Sequence, residues 1–434
     1  MIPTRRLLWL IFAVFLLAVA LAFMPEVKPD WKIISGVILG IALFDALSVW
    51  SKTQLQAERK LMHALSLGTW SNVELTLHNH YRYPITIEVF DHHPAEVTQQ
   101  GLPVKVRVPA RNWAKIPYQV KPIARGPAMF ETIQIRLFSV LGLWQKNIMQ
   151  ALPSEIRNYP NFSSVMKYTL LATDQRLNQM GILRKRRRGE GLDFHQLREY
   201  RDGDSLRQID WKATARTRKL ISRDYQEERD QQVIFLVDCG RRMLAHDDEL
   251  SHFDHTLNAI LLLSHVALRQ GDAVGLMTFS GDERWLPPRK SIGNVNAILN
   301  SVYDLQPSLM SPDYTQAAMR LMHKQKRRAL VVLITNLRDE DESELIPALH
   351  IMRKRHLVLL ASLQESSINA MIEAEVHGFE SALDYAAAQH YLNYRREAHQ
   401  KIERQGILAF DVEPDKLPIN IVNRYLDIKS SGQL

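Results

Sequence analysis

Residues Val233–Val237 read Val-Ile-Phe-Leu-Val, an apolar run with no polar alternation. A strand tolerates such a run only when both of its faces are buried, as in a parallel sheet covered by helices on each side. Ala273–Phe279, Ala329–Thr335, Leu357–Leu363 and Ile407–Val412 repeat the pattern. Between these runs the period becomes helical. His252–Arg269 sets Leu257, Ile260, Leu261, Leu263 and Leu268 on one wide face, and similar segments fall near 292–304, 314–325, 343–354 and 381–405. The alternation predicts a Rossmann-type α/β domain over 161–434, with its sites beyond the carboxyl ends of the strands.

Those ends can be read directly. The first gives Asp238-Cys239-Gly240-Arg241-Arg242, and a later one gives Thr335-Asn336-Leu337-Arg338-Asp339. A strand ending in Asp before a helix resembles the von Willebrand factor A fold. Its metal-ion-dependent adhesion site takes Asp-x-Ser-x-Ser from the first strand end, a Thr from a second loop and an Asp from a later strand end. Carried onto this chain, the resemblance keeps Asp238 but sets Gly240 and Arg242 at the serine positions. It sets Asn336 at the later Asp, and Thr315 is the second-loop Thr.

Magnesium needs near-octahedral oxygen ligands, and Gly240 offers no side-chain oxygen. At about 5 Å and an effective dielectric of about 20, Arg242 would repel a divalent ion by roughly 6–7 kcal/mol. The expectation is therefore a degenerate site without metal or other cofactor, in which Arg241 or Arg242 pairs with Asp238 in place of the ion. A magnesium-dependent ligand-binding domain is the alternative.

Between about Leu65 and Gln150 the period is two. Val73-Leu75-Leu77, Ile85-Ile87-Val89, Val104-Val106-Val108, Ile116-Tyr118-Val120 and Ile133-Ile135-Leu137 alternate with polar residues, separated by turn residues such as Pro84, Gly101 and Gly126. Five half-buried strands predict a small all-β sandwich over 53–160. Asp91-His92-His93 is no metal site on this reading, because adjacent strand residues point to opposite faces.

Upstream, Leu7–Met24 is uncharged, and Trp31–Trp50 is a second apolar stretch with Trp at both ends and Asp45 inside it. The pattern predicts a two-helix transmembrane hairpin over 1–52 that anchors the chain in membrane lipid. Arg5 and Arg6 before it, and Lys52, Arg59 and Lys60 after it, place both ends in the cytoplasm by the positive-inside rule. The expected localisation is a bacterial inner membrane with the large domains cytoplasmic. A single Cys, Cys239, suits a reducing compartment. Asp45, inside the second span, is expected to hydrogen-bond to the partner helix or to lie close enough to the interface to stay wet.

The chain's net charge of +8 is concentrated in one place. Between Arg184 and Arg223, thirteen Lys or Arg stand against six acids. The heart of this segment runs Arg198-Glu199-Tyr200-Arg201-Asp202-Gly203-Asp204-Ser205-Leu206-Arg207-Gln208-Ile209-Asp210-Trp211-Lys212-Ala213-Thr214-Ala215-Arg216. Asp202-Gly203 reads as a turn, Asp204 or Ser205 as a helix cap, and Arg207 with Asp210 as an ion pair three residues apart. The string resembles the signature of a bacterial family called domain of unknown function 58. Arg125-Gly126-Pro127, Gly142-Leu143-Trp144, Gly189-Glu190-Gly191 and Asn423-Arg424-Tyr425-Leu426 match it as well.

That resemblance implies an adaptor or scaffold without catalysis. It would mediate protein–protein interaction, with a MoxR-type AAA+ ATPase and other membrane proteins encoded nearby as partners. Tyr200, Arg201, Gly203, Asp204, Arg207, Asp210, Trp211 and Arg216 are its motif residues. An enzyme is disfavoured, since the chain has neither a phosphate-binding loop nor a nucleophile elbow. Nucleic acid is not expected either, because acids interleave the basic string. Contact of Arg184–Arg188 with anionic lipid is a further alternative.

Overall fold

Strict alternation in the first third of the chain builds antiparallel sheets, and continuous apolar runs in the remainder build a mostly parallel one. The computed structural model describes residues 1–22, 31–50, 55–161, 193–201, 206–226, 231–247, 249–291 and 293–433. They divide into two units, Met1–Tyr159 and Pro160–Leu434.

The first unit begins with β1 (Ile2–Pro3), α1 (Arg5–Ala22) and α2 (Trp31–Trp50). There follow β2 (Leu55–Lys60), β3 (Ala64–Ser66), β4 (Ser71–Asn79), β5 (Ile85–Asp91), β6 (Val97–Gln100), β7 (Val104–Val108), β8 (Trp113–Pro122), β9 (Gly126–Phe138) and β10 (Trp144–Tyr159). One sheet has the order β2-β4-β8-β6; the other has β1-β10-β9-β5-β7, with β3 parallel to β10. Their inward residues, among them Leu75, Leu77, Ile87, Phe130, Ile133 and Ile156, share one core. Inside it the Arg59 guanidinium holds the Asp91 carboxylate at 2.6 and 2.9 Å, and the Tyr118 hydroxyl donates to the same carboxylate at 2.5 Å. A buried charge is tolerated when it is paired in this way.

No helix among the described residues is long and apolar enough to cross a membrane. The expected transmembrane hairpin and the inner-membrane localisation with cytoplasmic termini are therefore corrected. The physical reason is length. After Arg5 and Arg6, α1 offers sixteen uncharged residues, about 24 Å of helix. In α2 the uncharged stretch between Lys32 and Asp45 is twelve residues, about 18 Å. Both fall short of a hydrocarbon core of about 30 Å.

The end of α2 docks instead on the β9–β10 turn. Asp45, 2% exposed, accepts from the Ser139 hydroxyl at 2.6 Å and from the Leu141 and Leu143 amides at 2.9 and 3.2 Å. Trp144 Nε1 donates to the Ala42 carbonyl at 2.8 Å.

In the second unit β11 (Asp193–Glu199) pairs antiparallel with β12 (Ile221–Gln226), flanking α3 (Trp211–Thr217). The chain continues through β13 (Gln232–Asp238), a short hairpin of β14 (His246–Asp247) and β15 (Leu250–Ser251), and α4 (His252–Arg269). It goes on through β16 (Ala273–Phe279), β17 (Trp285–Arg289), α5 (Asn294–Val302), α6 (Tyr314–Lys324), β18 (Leu330–Thr335), α7 (Glu342–Arg353) and β19 (Leu357–Leu363). Helices α8 (Ser366–Glu373) and α9 (Phe379–Arg404), strand β20 (Leu408–Val412) and helix α10 (Leu417–Ser430) complete it. The sheet order is β17-β16-β13-β18-β19-β20, parallel except for β17. Apolar cores lie on both faces.

The chain as a whole is mixed α/β with several antiparallel sheets. The expected fold class, a von Willebrand A-like domain preceded by a membrane hairpin and a β sandwich, is corrected to that description. The resemblance rested on ligand positions at the strand ends, and those positions do not assemble a metal site, as shown below.

Replacing Asp45 by Asn leaves one acceptor oxygen for three donors, a loss of about 1.5–3 kcal/mol for charge-assisted hydrogen bonds. Amide exchange at Leu141 and Leu143 is expected to accelerate at least tenfold in Asp45→Asn. Unchanged exchange would show that the carboxylate does not hold the turn.

Candidate functional site

Asp238 ends β13 and is fully buried. Parallel register pairs Val237 with Ile334, which brings Thr335, the last residue of β18, alongside. The Thr335 hydroxyl donates to Asp238 Oδ2 at 2.7 Å, and the Gly240 amide donates to Oδ1 at 2.8 Å. Tyr314 Oη lies 3.0 Å from Thr335 Oγ1. Burial pushes the Asp238 carboxyl up, and the Thr335 and Gly240 donors offset part of that rise. The Tyr314 phenol is pushed up by its burial and by the nearby Asp238 charge.

Beside this carboxylate Gly240 has no room for a side chain. A Cβ on Gly240 would stand 2.8 Å from the Met310 carbonyl oxygen and 3.0 Å from Asp238 Oδ1. A serine at that position would clash. The Met310 carbonyl is itself engaged, accepting from the Arg241 amide at 2.9 Å.

Arg242 is buried and turns to the acids that open α7, bonding Glu340 Oε1 at 2.5 Å and pairing with Asp341. Arg241 lies 3.6 Å from Glu340. Both arginines thus find their ion-pair partners at Glu340 and Asp341, and only a weaker through-space attraction links Arg242 to Asp238. Thr315 is the second residue of α6; the hydroxyl that reaches Asp238 belongs to Thr335. Among the described residues, no group of three or more His, Cys, Asp or Glu is placed to hold a metal ion.

Asn336 joins a second, larger network centred on Arg395 of α9. Arg395 is 4% exposed and forks onto Asp411 of β20, Nε to Oδ2 at 2.6 Å and Nη2 to Oδ1 at 2.7 Å. It also donates to Ser362 Oγ of β19 at 2.6 Å, to Asn336 Oδ1 at 3.2 Å, and to the carbonyls of Leu337 and Leu363. Asn336 Nδ2, Tyr391 Oη and Arg338 Nη2 converge on Glu365 at 2.8, 3.0 and 3.0 Å. Burial of Glu365 is outweighed by these donors and by Arg395 and Arg338, which hold its carboxyl below the usual range.

One guanidinium therefore ties together the carboxyl ends of three parallel strands, where a sheet of this type would otherwise open a crevice. No signal for this lay in any short motif. It lay in the helical period of α9, where Ala388, Tyr391, Arg395, Ala398 and Ile402 fall on one stripe. An Arg on such a stripe must find partners inside.

The charged string is separate from this network. Asp210 caps α3, accepting from the Ala213 amide at 2.9 Å, and pairs with Arg223 at 3.0 Å; these donors lower its pKa. Its expected partner, Arg207, has a side chain outside the described residues, and Gly203, Asp204 and Arg184–Arg188 lie outside them altogether. Tyr200 donates its amide to the Leu220 carbonyl at 2.9 Å, Arg201 and Arg216 are exposed, and Trp211 stands 67% exposed at the start of α3.

Residues 196–406 match the family model described as protein of unknown function DUF58. The chain is 22% identical over 268 residues to the uncharacterized protein YeaD of Bacillus subtilis (strain 168), covering 59% of this chain and 62% of that protein's length. Matched solved structures include the PapD-like domain 7 of human CEP192, at 11% identity and a TM-score of 0.19 over 25% of this chain and 90% of that one. A FixG-related protein from Vibrio parahaemolyticus matches at 11% and 0.17, covering 24% and 94%. Native alpha-2-macroglobulin from Escherichia coli matches at 15% and 0.22, covering 24% and 16%. Scores this low establish no shared fold.

Removing a buried partner from a paired network costs about 3–5 kcal/mol. Arg395→Ala is expected to lose that much in urea denaturation, and Arg395→Lys most of it, since an ammonium cannot fork onto Asp411. Recovery of wild-type stability by Lys would show that charge alone suffices.

Proposed function

We propose that this chain is a non-catalytic adaptor whose second unit docks other proteins. The observation that carries the reading is the state of the strand ends. Asp238, Thr335, Asn336 and Arg395 are buried there and hydrogen-bonded to one another or to neighbouring groups of the strand ends. Two large apolar side chains stand outward beside them. Leu309 and Met310 are 83% and 63% exposed on the loop that covers Gly240.

That loop is fixed at several points. The Ser308 amide donates to the Cys239 carbonyl at 2.7 Å, the Ser308 hydroxyl bonds the Ser280 carbonyl, and the Met310 amide donates to Ser308 Oγ at 3.2 Å. Apolar side chains on a backbone held in this way, beside exposed charges such as Arg241 and Glu340, form the kind of centre-and-rim patch on which protein interfaces are built. Exposed on a preformed loop, they add binding area without the entropic cost of ordering it.

The partner class comes from the resemblance of the Arg198–Arg216 string to a family typically encoded beside a MoxR-type AAA+ ATPase, and we take that ATPase as the partner. Cross-linked co-purification of the full-length chain with the MoxR-type ATPase of the same organism tests both parts. The wild type is expected to retain the ATPase, and the double variant Leu309→Asp, Met310→Asp to lose at least tenfold. A wild type that captures no ATPase, or a double variant that captures as much as the wild type, would contradict the reading.

A further inference from the structure

No residue of α9 before Ala388 is buried, and Phe379 and Leu383 stand 84% and 60% exposed, one turn apart. Glu380 and Asp384 lie beside them at the same spacing, so an acidic stripe runs along an apolar one. The negative charge is not cancelled locally. Between Arg355 and Arg395 the chain has five acids and no Lys or Arg. Among cations from elsewhere, Arg338 is taken by Glu365 at 3.0 Å. Lys416 is held by Glu413 at 2.5 Å and adds only a through-space attraction to Glu373. Among the described residues, Glu380 and Asp384 form no ion pair.

Helix α3 carries the opposite pattern, and it too has no buried residue. Trp211 and Ala215 are exposed one turn apart, with Lys212 and Arg216 exposed beside them at the same spacing. From Arg198 to Arg223 eight Lys or Arg stand against four acids. Glu199 is taken by Lys219 at 2.5 Å and Asp210 by Arg223 at 3.0 Å. Lys212 and Arg216 form no ion pair among the described residues. Two like charges one turn apart cost a helix stability, and a partner helix of opposite charge relieves that cost. The apolar stripes gain in turn by covering one another.

We propose that α9 of one copy of this chain docks on α3 of a second copy. Phe379 and Leu383 then meet Trp211, and Glu380 and Asp384 meet Lys212 and Arg216. Both surfaces are open in the single chain, so each is free to receive another copy. The contact joins two different surfaces, which makes it heterologous, and copies add head to tail. A helix of seven residues restricts it to the small, transient class of interfaces, below about 1,200 Å². The inference stands apart from the adaptor reading, since it uses neither the Leu309–Met310 loop nor the ATPase.

The test is sedimentation velocity on the full-length chain, on the double variants Lys212→Glu, Arg216→Glu and Glu380→Lys, Asp384→Lys, and on an equimolar mixture of the two variants. All four positions are exposed. The wild type is expected to self-associate at micromolar concentration. Each variant alone should do so at least tenfold more weakly, because its two surfaces now carry like charge. In the mixture both contacts regain opposite charges, and the affinity is expected to return to within about threefold of wild type. Association through any other surface would be indifferent to mixing. Phe379→p-benzoylphenylalanine, in a mixture of isotopically light and heavy chains, is expected to cross-link to residues 206–220 of the other copy. The proposal is overturned if the wild type is monomeric at these concentrations, if either variant associates as the wild type does, if mixing restores nothing, or if the cross-link forms only within one copy.

Discussion

Burying a guanidinium is costly unless all of its donors are met, and the second unit is organised around meeting those of Arg395. Its five N–H groups are shared, some of them bifurcated, among Asp411, Ser362, Asn336 and the carbonyls of Leu337 and Leu363. The consequence is geometric. Long helix α9 can lie in only one position against the ends of β18, β19 and β20, and the loops that follow those strands are held by the same group. A bidentate Arg–carboxylate pair gives that specificity where an ammonium would not.

The same logic governs Asp238. A buried carboxylate needs donors, and this one finds them in the Thr335 hydroxyl and the Gly240 amide. Arg242 goes instead to Glu340 and Asp341, two acids just before the start of a helix, where acids are favoured. Two adjoining networks thus close the end of the sheet at which α/β proteins usually bind their ligands. What this end still offers to the outside is the Leu309–Met310 loop and a charged rim.

Much of the second unit was legible in the sequence because burial on both faces forces an uninterrupted apolar run, as at Val233–Val237 and Leu357–Leu363. Five strands of the first unit were legible from alternation. Strand β10 was not: Pro153 breaks its pattern, and the structure places a register shift between Ala151 and Ser154 there, where a proline without an N–H can be accommodated. The apolar amino-terminal runs suggested membrane spans, but hydropathy alone does not weigh the short reach between Lys32 and Asp45 or the docking of Asp45 on the β9–β10 turn. At the site, Asp238 and Asn336 stood out by position. Thr335 required the strand register, and Arg395 required seeing a charge on the buried stripe of a helix.

The strand ends are closed by internal hydrogen bonds, which leave Asp238 no open face for a cation. Isothermal titration of the full-length chain with magnesium chloride tests it most directly. The account predicts no saturable heat for the wild type at millimolar magnesium and an identical trace for Asp238→Asn. Saturable micromolar binding by the wild type, lost in Asp238→Asn, would contradict it.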